Sequence, residues 1–159
     1  MECITTARMH ILWEGEIIEE FTLSRGIRQG DHFSPYIFVL CIERLSHAIN
    51  LAVRNGSWCP IRLSRNCIPL THFFFADDLL LLAVASCNQA HVINNVLNIF
   101  CNCSGELISK QKTRVYFSKT VTEEKARKIS DSLGFAATDN LGKYLGMPLL
   151  HNRVRKATY

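Results

Sequence analysis

The stretch that most constrains the fold is residues 70–83, where two adjacent aspartates lie between two short apolar runs. Three phenylalanines come just before Asp77 and Asp78, and four leucines follow them. Each run has the length of a strand and is too short to span a membrane. The simplest geometry is therefore a hairpin with buried strands and a tight turn that carries both carboxylates, since side chains that diverge along a strand can meet at a turn.

Two carboxylates held together in apolar surroundings repel each other and lose hydration unless a cation neutralises them. Aspartate oxygens suit a hard cation such as Mg²⁺, which usually keeps water and substrate phosphates as its other ligands. The alternative is an ordinary solvated turn, the setting in which an Asp-Asp pair is usually found. The apolar flanks favour the metal site, because a solvated turn does not need them.

The composition indicates one globular domain or part of one. The chain has 159 residues, of which 48% are hydrophobic and 20% charged. Its seven cysteines are an odd number without the spacing of a disulfide framework. The sequence presents no signal peptide and no transmembrane segment, so we expect reduced thiols and an intracellular location.

The net charge of +4 is distributed unevenly along the chain. Residues 1–105 hold seven Lys and Arg against nine Asp and Glu, whereas residues 106–159 hold eleven against five. A basic C-terminal third is a candidate surface for nucleic acid. From charge alone, a solvated basic face is an equally good interpretation.

A second informative stretch is residues 25–35, in which two glycines bracket an Ile-Arg-Gln sequence. Glycines let the backbone turn sharply or approach a ligand closely. Ser34 as an N-cap and Pro35 as the first helical residue predict a helix directly after this loop. The loop can present Arg28 and Gln29 to phosphate, sugar or base, or it can simply be a helix entry with solvated arginines.

The order of the predicted elements is hairpin, helix, hairpin, helix, strand, helix, strand. This order predicts an α+β fold, with helices packed on one face of a mostly antiparallel sheet. Residues 57–69 are expected to form an irregular connection. The predicted segments are a leading hairpin turning at Glu14-Gly15 (1–24), the glycine-bracketed loop and a helix to Arg54 (25–56), the Asp-Asp hairpin (70–85), a helix capped by Ser86 and Gln89 with a lysine segment (86–117), and a third helix, an extended segment at 142–149 and a basic tail (118–159).

Four blocks of the sequence, taken in order, resemble motifs of one polymerase family. Residues 25–38 resemble the block R-G-[LI]-R-Q-G-D-P-L-S-P-Y-L-F, and residues 75–78 are similar to the F-A-D-D form of the polymerase aspartate motif. Residues 104–113 resemble a later block with its lysine, and residues 143–149 resemble K-Y-L-G-[VM]-P-L. The family is the reverse transcriptase of LINE-type (non-LTR) retrotransposons found in plant genomes, and the resemblance covers almost the whole chain.

The resemblance implies the palm of an RNA-directed DNA polymerase, a nucleotidyltransferase. Asp77 would be the main metal ligand and Asp78 its companion. Together they would hold two Mg²⁺ ions about 3.5–4 Å apart, which activate the primer 3′-hydroxyl and stabilise the leaving pyrophosphate. Lys112 would lie near the pyrophosphate and could donate its proton.

Other matched positions would hold the substrates, which in this family are an RNA template, a DNA primer and deoxynucleoside triphosphates. Gln29 and Gly30 would line the pocket for the incoming nucleotide and the template base, and Arg28 is a weaker candidate for a phosphate contact. The segment that supports the primer end would include Tyr144, Leu145 and Gly146. One departure is His32, which stands where the family usually has proline.

A more serious departure concerns a third carboxylate, which the palm takes from a strand well upstream of the Arg-Gln-Gly block. The 24 residues before Arg25 hold only glutamates as acidic residues, outside the family's aspartate pattern. We therefore expect residues 1–159 to be a partial reverse transcriptase domain that lacks the fingers and the first palm strand, binds Mg²⁺ weakly and is inactive alone. The alternatives are a non-catalytic nucleic-acid-binding module and a retrotransposon relic without function.

Overall fold

The structure of the chain is a computed structural model that describes residues 8–22, 26–140, 142–144 and 147–148. Within these ranges, three helices and ten short strands confirm the α+β class. The helices are α1 (Ser34–Arg54), α2 (Cys87–Ser104) and α3 (Glu123–Leu133). The strands are β1 (Arg8–Met9), β2 (Leu12–Trp13), β3 (Glu16–Ile17), β4 (Phe21–Thr22), β5 (His72–Phe75), β6 (Asp78–Leu81), β7 (Arg114–Tyr116), β8 (Ala136–Thr138), β9 (Lys143–Tyr144) and β10 (Met147–Pro148).

In the described residues, the strands form five separate pairs instead of one sheet. Four pairs are antiparallel, namely β1–β4, β2–β3, β5–β6 and β9–β10, in agreement with the expected strand direction. Strands of two to four residues make few ladder hydrogen bonds. Each pair therefore depends on neighbouring helices and loops for its stability.

The parallel pair β7–β8 was not expected from the sequence. Arg114 lies opposite Ala136, and α3 connects the two strands, which gives a strand–helix–strand unit. The predicted third helix, α3, begins after Thr122 and ends just before Gly134, whose φ of 75° suits a left-handed helix cap. The sequence signal for β8 is weak, because three residues of small side chain are too few to show strand alternation.

The hydrophobic core lies between α1 and α2. Both helices have nearly the bounds that their sequence patterns predict, and the buried side chains are Leu45, Ile49 and Ala52 of α1, Val96 and Leu97 of α2, and Trp58. Trp58 is 1% exposed, and its indole Nε1 donates to the carbonyl of Leu82 at 3.1 Å. The predicted irregular connection therefore contains a central core residue, which a single tryptophan among polar neighbours did not reveal.

Gln89 holds the segment around Trp58 in place. Its buried side chain accepts from Cys59 N at 2.8 Å and donates to Ser57 O at 2.7 Å. The expected capping box is therefore half present: Ser86 Oγ accepts from Gln89 N at 3.2 Å, whereas the Gln89 side chain turns toward residues 57–59. A buried amide with two backbone partners is better satisfied here than at an exposed helix end.

Helices α2 and α3 pack against each other. A side-chain hydrogen bond reinforces this contact, because Asn94 Nδ2 of α2 donates to the carbonyl of Ser132 at the end of α3 at 2.6 Å. Ile129 of α3 is 4% exposed. The β7–α3–β8 unit is thus attached to the core through the two helices.

Helix α1 is the one helix within the described ranges that is long and apolar enough to cross a membrane, judged by length and composition only. Core helices pass the same test, and the buried side of α1 packs against α2 through Leu45 and Ile49. Its opposite side leaves Tyr36, Val39 and Leu40 more than half exposed. The absence of a transmembrane segment stays a prediction.

Candidate functional site

The Asp-Asp hairpin is present, with a turn that differs from the predicted one. Phe75 of β5 lies opposite Asp78 of β6, so Ala76 and Asp77 form a two-residue turn. Ala76 has a φ of 48°, in the left-handed region that two-residue hairpin turns commonly require. Asp77 therefore lies in the turn, whereas Asp78 is the first residue of a strand.

The expectation that both strands are buried was wrong. Phe73 and Phe75 are 42% and 58% exposed, whereas Phe74 packs against the core cluster. This alternation follows from the strand period of two, because the helices cover only one face of the hairpin. Asp77 and Asp78 are both exposed, and Asp78 lies on the open face as the cross-strand neighbour of Phe75.

The two aspartates supply only part of a divalent-ion site. No group of three His, Cys, Asp or Glu side chains lies together in the described part of the chain. Mg²⁺ demands near-octahedral oxygen coordination, and two neighbouring exposed carboxylates can provide a minority of the ligands. The donor set therefore does not fit the two-ion arrangement that the resemblance implies, and no catalytic step can be derived through it.

His72, which was not singled out from the sequence, joins the hairpin to α1. Its Nε2 lies 3.0 Å from Ser46 Oγ of α1, and its Nδ1 lies 2.8 Å from Thr71 Oγ1. Its ring packs on Phe74 with a centroid distance of 4.6 Å. Burial lowers the pKa of His72, because desolvation disfavours the imidazolium. The one sequence signal is that His72 and Phe74 are two residues apart, so they lie on the same face of a strand.

The loop before α1 presents the predicted nucleotide-binding positions to solvent. Arg28, Gln29 and Gly30 are all exposed, and Gly30 has a φ of 86°, which explains the need for glycine. Arg25, at the start of the matching block, lies outside the described residues. Whether the loop contacts a nucleotide or only leads into the helix stays a prediction.

The predicted N-cap role of Ser34 was wrong. Ser34 is the first residue of α1, and the N-cap position belongs to Phe33. The Ser34 hydroxyl donates to the carbonyl of Arg28, and Asp31 Oδ1 accepts from Phe33 N at 2.8 Å. Both side chains therefore hold the loop closed instead of capping the helix, a pattern of local side-chain bonding that Ser and Asp often adopt.

Residues 109–114, which we call the lysine turn, follow α2 and end on the first residue of β7. The backbone amides of Lys112 and Thr113 both donate to Ser109 O, at 3.2 and 2.9 Å. Arg114 Nη1 donates to the carbonyls of Gln111 and Thr113, at 2.6 and 2.8 Å. Lys112 is exposed on this turn, as is Lys110.

Within the described part of the C-terminal third, some of the basic side chains are paired with acidic ones. In α3, Lys128 pairs with Glu124 at 2.6 Å and Arg127 lies 4.0 Å from Glu123, so much of the helix charge is balanced locally. Residues 107–122 hold four Lys and Arg and no Asp or Glu. Among the described residues, positive charge without an acidic neighbour in the sequence is therefore concentrated at the lysine turn.

The predicted site residues that the structure describes lie on four separate elements: the loop before α1, the aspartate hairpin, the lysine turn and β9. Among the described residues, no hydrogen bond or ion pair joins the side chains of Asp77, Asp78 and Lys112 to one another, so their shared role stays a prediction. Tyr144 lies in β9 and pairs with Met147 of β10, which makes the expected extended segment a short hairpin. The other two primer-end positions, Leu145 and Gly146, lie outside the described residues.

Comparison with known proteins gives two findings. The chain matches the family model of reverse transcriptase (RNA-dependent DNA polymerase) over residues 2–149, a range that includes the loop, the hairpin and the lysine turn. It is also 49% identical over 57 residues to the uncharacterized mitochondrial protein AtMg01250 of Arabidopsis thaliana. That alignment covers 36% of this chain and 47% of the relative, so it spans about half of that protein. Because the family model covers nearly the whole sequence, the chain belongs to the reverse transcriptase (RNA-dependent DNA polymerase) family.

Proposed function

We propose that the chain is the palm portion of a LINE-type reverse transcriptase and that, by itself, it does not synthesise DNA. Family membership implies an RNA template, a primer and nucleotides as the partners of a complete polymerase. The order of the four blocks supports the LINE-type origin, and the similarity to a plant protein agrees with it. In the complete polymerase, Asp77 and Asp78 would bind Mg²⁺ and Lys112 would act at the pyrophosphate.

The observation that carries the lack of activity is the donor set at the hairpin. Asp77 and Asp78 are exposed, and no third metal-ligating side chain accompanies them in the described residues. Two solvated carboxylates hold a divalent ion weakly and leave its position poorly fixed. Phosphoryl transfer depends on ions and reactants being positioned accurately, so a loose site should not support it.

Primer extension tests this proposal. The purified chain is given an RNA template, an annealed DNA primer, the four deoxynucleoside triphosphates and Mg²⁺, and product length is read on a gel. We expect no extension above the level of the Asp77→Asn variant. Extension that is lost in Asp77→Asn and kept in the matched surface variant Asp139→Asn would contradict the proposal.

A second candidate function is nucleic-acid binding without catalysis, and the lysine turn favours it. Lys110 and Lys112 are exposed in a stretch of sixteen residues, 107–122, without an acidic side chain. Lysines that neutralise phosphates release condensed counterions, so the affinity falls steeply as salt rises. This function needs no metal at Asp77 and Asp78.

Binding to a fluorescent single-stranded RNA over a series of KCl concentrations tests the second candidate. We expect Lys110→Glu with Lys112→Glu to weaken binding and to flatten the salt dependence. Asp77→Asn should leave both unchanged, as should Lys125→Glu, a charge reversal of equal type on the exposed side of α3. If neither synthesis nor binding is measured, the remaining interpretation is a translated relic without function.

A further inference from the structure

We propose that Arg114 is a positioning residue, which holds the lysine turn in the shape that presents Lys112 and Lys110 to a nucleic-acid phosphate. The proposal deepens the second candidate function and rests on it. Arg114 itself does not contact the nucleic acid. Its charge would otherwise make it the most obvious phosphate ligand of the segment.

The hydrogen bonds of Arg114 surround one residue. A single nitrogen, Nη1, donates to Gln111 O at 2.6 Å and to Thr113 O at 2.8 Å. These two carbonyls belong to the residues immediately before and after Lys112. The backbone at Lys112 is therefore fixed from both sides by one guanidinium.

Backbone amides within the same turn add further hydrogen bonds, all to one carbonyl. The amides of Lys112 and Thr113 donate to Ser109 O, and Thr113 Oγ1 donates to the same carbonyl at 2.8 Å. Arg114 is also the first residue of β7 and pairs with Ala136 of β8. Arg114 thus connects the turn to strand β7 and also donates to the carbonyls of the turn.

The geometry limits what else the guanidinium can do. Both hydrogens of Nη1 are engaged by carbonyls, so the end-on fork that uses the two terminal nitrogens is not free for a phosphate. The side chains of Lys112 and Lys110 make no hydrogen bond or ion pair in the described contacts. Arg114 keeps only its Nε and Nη2 donors, whereas Lys112 and Lys110 keep their whole ammonium groups, so the two lysines are the better phosphate ligands and Arg114 acts through them.

A double-mutant cycle on single-stranded RNA binding separates positioning from contact. Lys112→Gln should lower the slope of log affinity against log salt by about 0.7, the value for one phosphate on a single strand. Arg114→Gln should weaken binding roughly three- to tenfold, about the contribution of one hydrogen bond. The double variant should lose less affinity than the sum of the two single losses, because Arg114 acts in part through Lys112.

Arg114→Lys distinguishes shape from charge, since it keeps the charge and loses the planar fork. We expect it to bind as weakly as Arg114→Gln. Wild-type affinity in Arg114→Lys, or additive losses in the cycle, would mean a direct phosphate contact and would overturn the proposal. Lys125→Gln serves as the matched control on α3.

Amide hydrogen exchange of the free chain tests the positioning role without any ligand. In Arg114→Gln we expect faster exchange at Lys112 and Thr113, whose amides close the turn, and unchanged exchange at Ile129 in α3. Unchanged exchange at the turn would overturn the proposal whatever the binding result. If exchange rises but the wild-type chain shows no salt-dependent RNA binding, the proposed function fails while Arg114 is shown to shape the turn, and the inferred link to nucleic acid is overturned.

Discussion

At the scale of single residues, Ala76 shows how the aspartate hairpin is made. Its φ of 48° belongs to a region that costs a non-glycine residue about 1–2 kcal/mol. The turn nevertheless requires it, because only a two-residue loop brings Phe75 opposite Asp78. The orientation of both carboxylates therefore depends on a strained alanine between them and the aromatic strand.

Ala76→Gly should relieve this strain. Glycine also has more conformational freedom in the unfolded chain, which cancels about 0.4–1 kcal/mol of the strain relieved. We therefore expect the free energy of unfolding to rise by up to about 1 kcal/mol. Urea denaturation measures the change. Ala126→Gly in α3 is the matched control and should lower stability by about 0.5–1 kcal/mol. A loss of stability in Ala76→Gly equal to that of the control would show that the turn is not strained.

His72 makes the stability of the chain depend on pH. Its pKa in the folded state lies below the ordinary value of 6.5, because burial disfavours the imidazolium. At pH values well above 6.5 the ring is neutral in both states and does not change the free energy of unfolding. As the pH falls below that value the unfolded chain binds the proton first, so the free energy of unfolding decreases until the folded-state pKa is passed.

We therefore expect His72→Gln to lose less stability than the wild-type chain between about pH 7.5 and about pH 5. Urea denaturation at the two pH values measures this difference. The exposed His47 provides the control, and His47→Gln should keep the wild-type decrease. If the free energy of unfolding decreases equally in His72→Gln and the wild-type chain, His72 is not the cause of the decrease.

At the scale of elements, residues 57–59 link the two long helices to the hairpin. Trp58 fills the core between α1 and α2 and donates to the carbonyl of Leu82, just after β6. Gln89 in the first turn of α2 then fixes the backbone on both sides of Trp58. A segment without regular structure thus holds three elements together.

Gln89→Leu should disrupt this link. The substitution leaves the Cys59 amide and the Ser57 carbonyl, both part-buried, without their partner, and each such loss costs about 1–3 kcal/mol where water cannot replace it. We expect the free energy of unfolding to fall by about 2–4 kcal/mol, with a shift in the fluorescence of Trp58. Asn98→Leu, at an exposed position of the same helix, should change stability little. Equal effects of the two variants would contradict the role assigned to Gln89.

The helices and the hairpin could be predicted from the sequence, whereas their connections could not. Local signals such as Gly105, with its φ of 76°, and Gly134 mark helix ends that the structure reproduces. Trp58 and Gln89 carry no local signal, because their partners lie 24 and 30 to 32 residues away along the chain. The same limit explains the candidate site: its residue types are visible in the sequence, but their exposure and separation depend on packing.

At the scale of the whole molecule, large apolar side chains remain at the surface of several elements, among them α1 and the aspartate hairpin. Tyr36, Val39 and Leu40 of α1 are between 61% and 72% exposed, and Phe75 of the hairpin is 58% exposed. Large exposed apolar patches promote association in proteins that stand alone. The open edges of the two-stranded pairs add to this tendency.

We expect the isolated chain to associate with itself as its concentration rises. Val39→Lys with Leu40→Glu should reduce this association and leave the melting temperature nearly unchanged, because both side chains lie away from the core. Sedimentation velocity over a concentration series measures it. Arg54→Glu, a surface change on the same helix, is the control. Association that persists unchanged in the double variant would show that another surface is responsible.

The hydrogen bond from Asn94 to the carbonyl of Ser132 lies where the two halves of the molecule meet. The aspartate hairpin belongs to the half built on α1 and α2, whereas the lysine turn belongs to the half built on β7, α3 and β8. A small slide of α3 along α2 would change the spacing between the carboxylates and the lysines without altering either motif. The spacing between the aspartate hairpin and the lysine turn therefore depends on how α2 and α3 pack. Sequence similarity within each motif does not preserve that spacing.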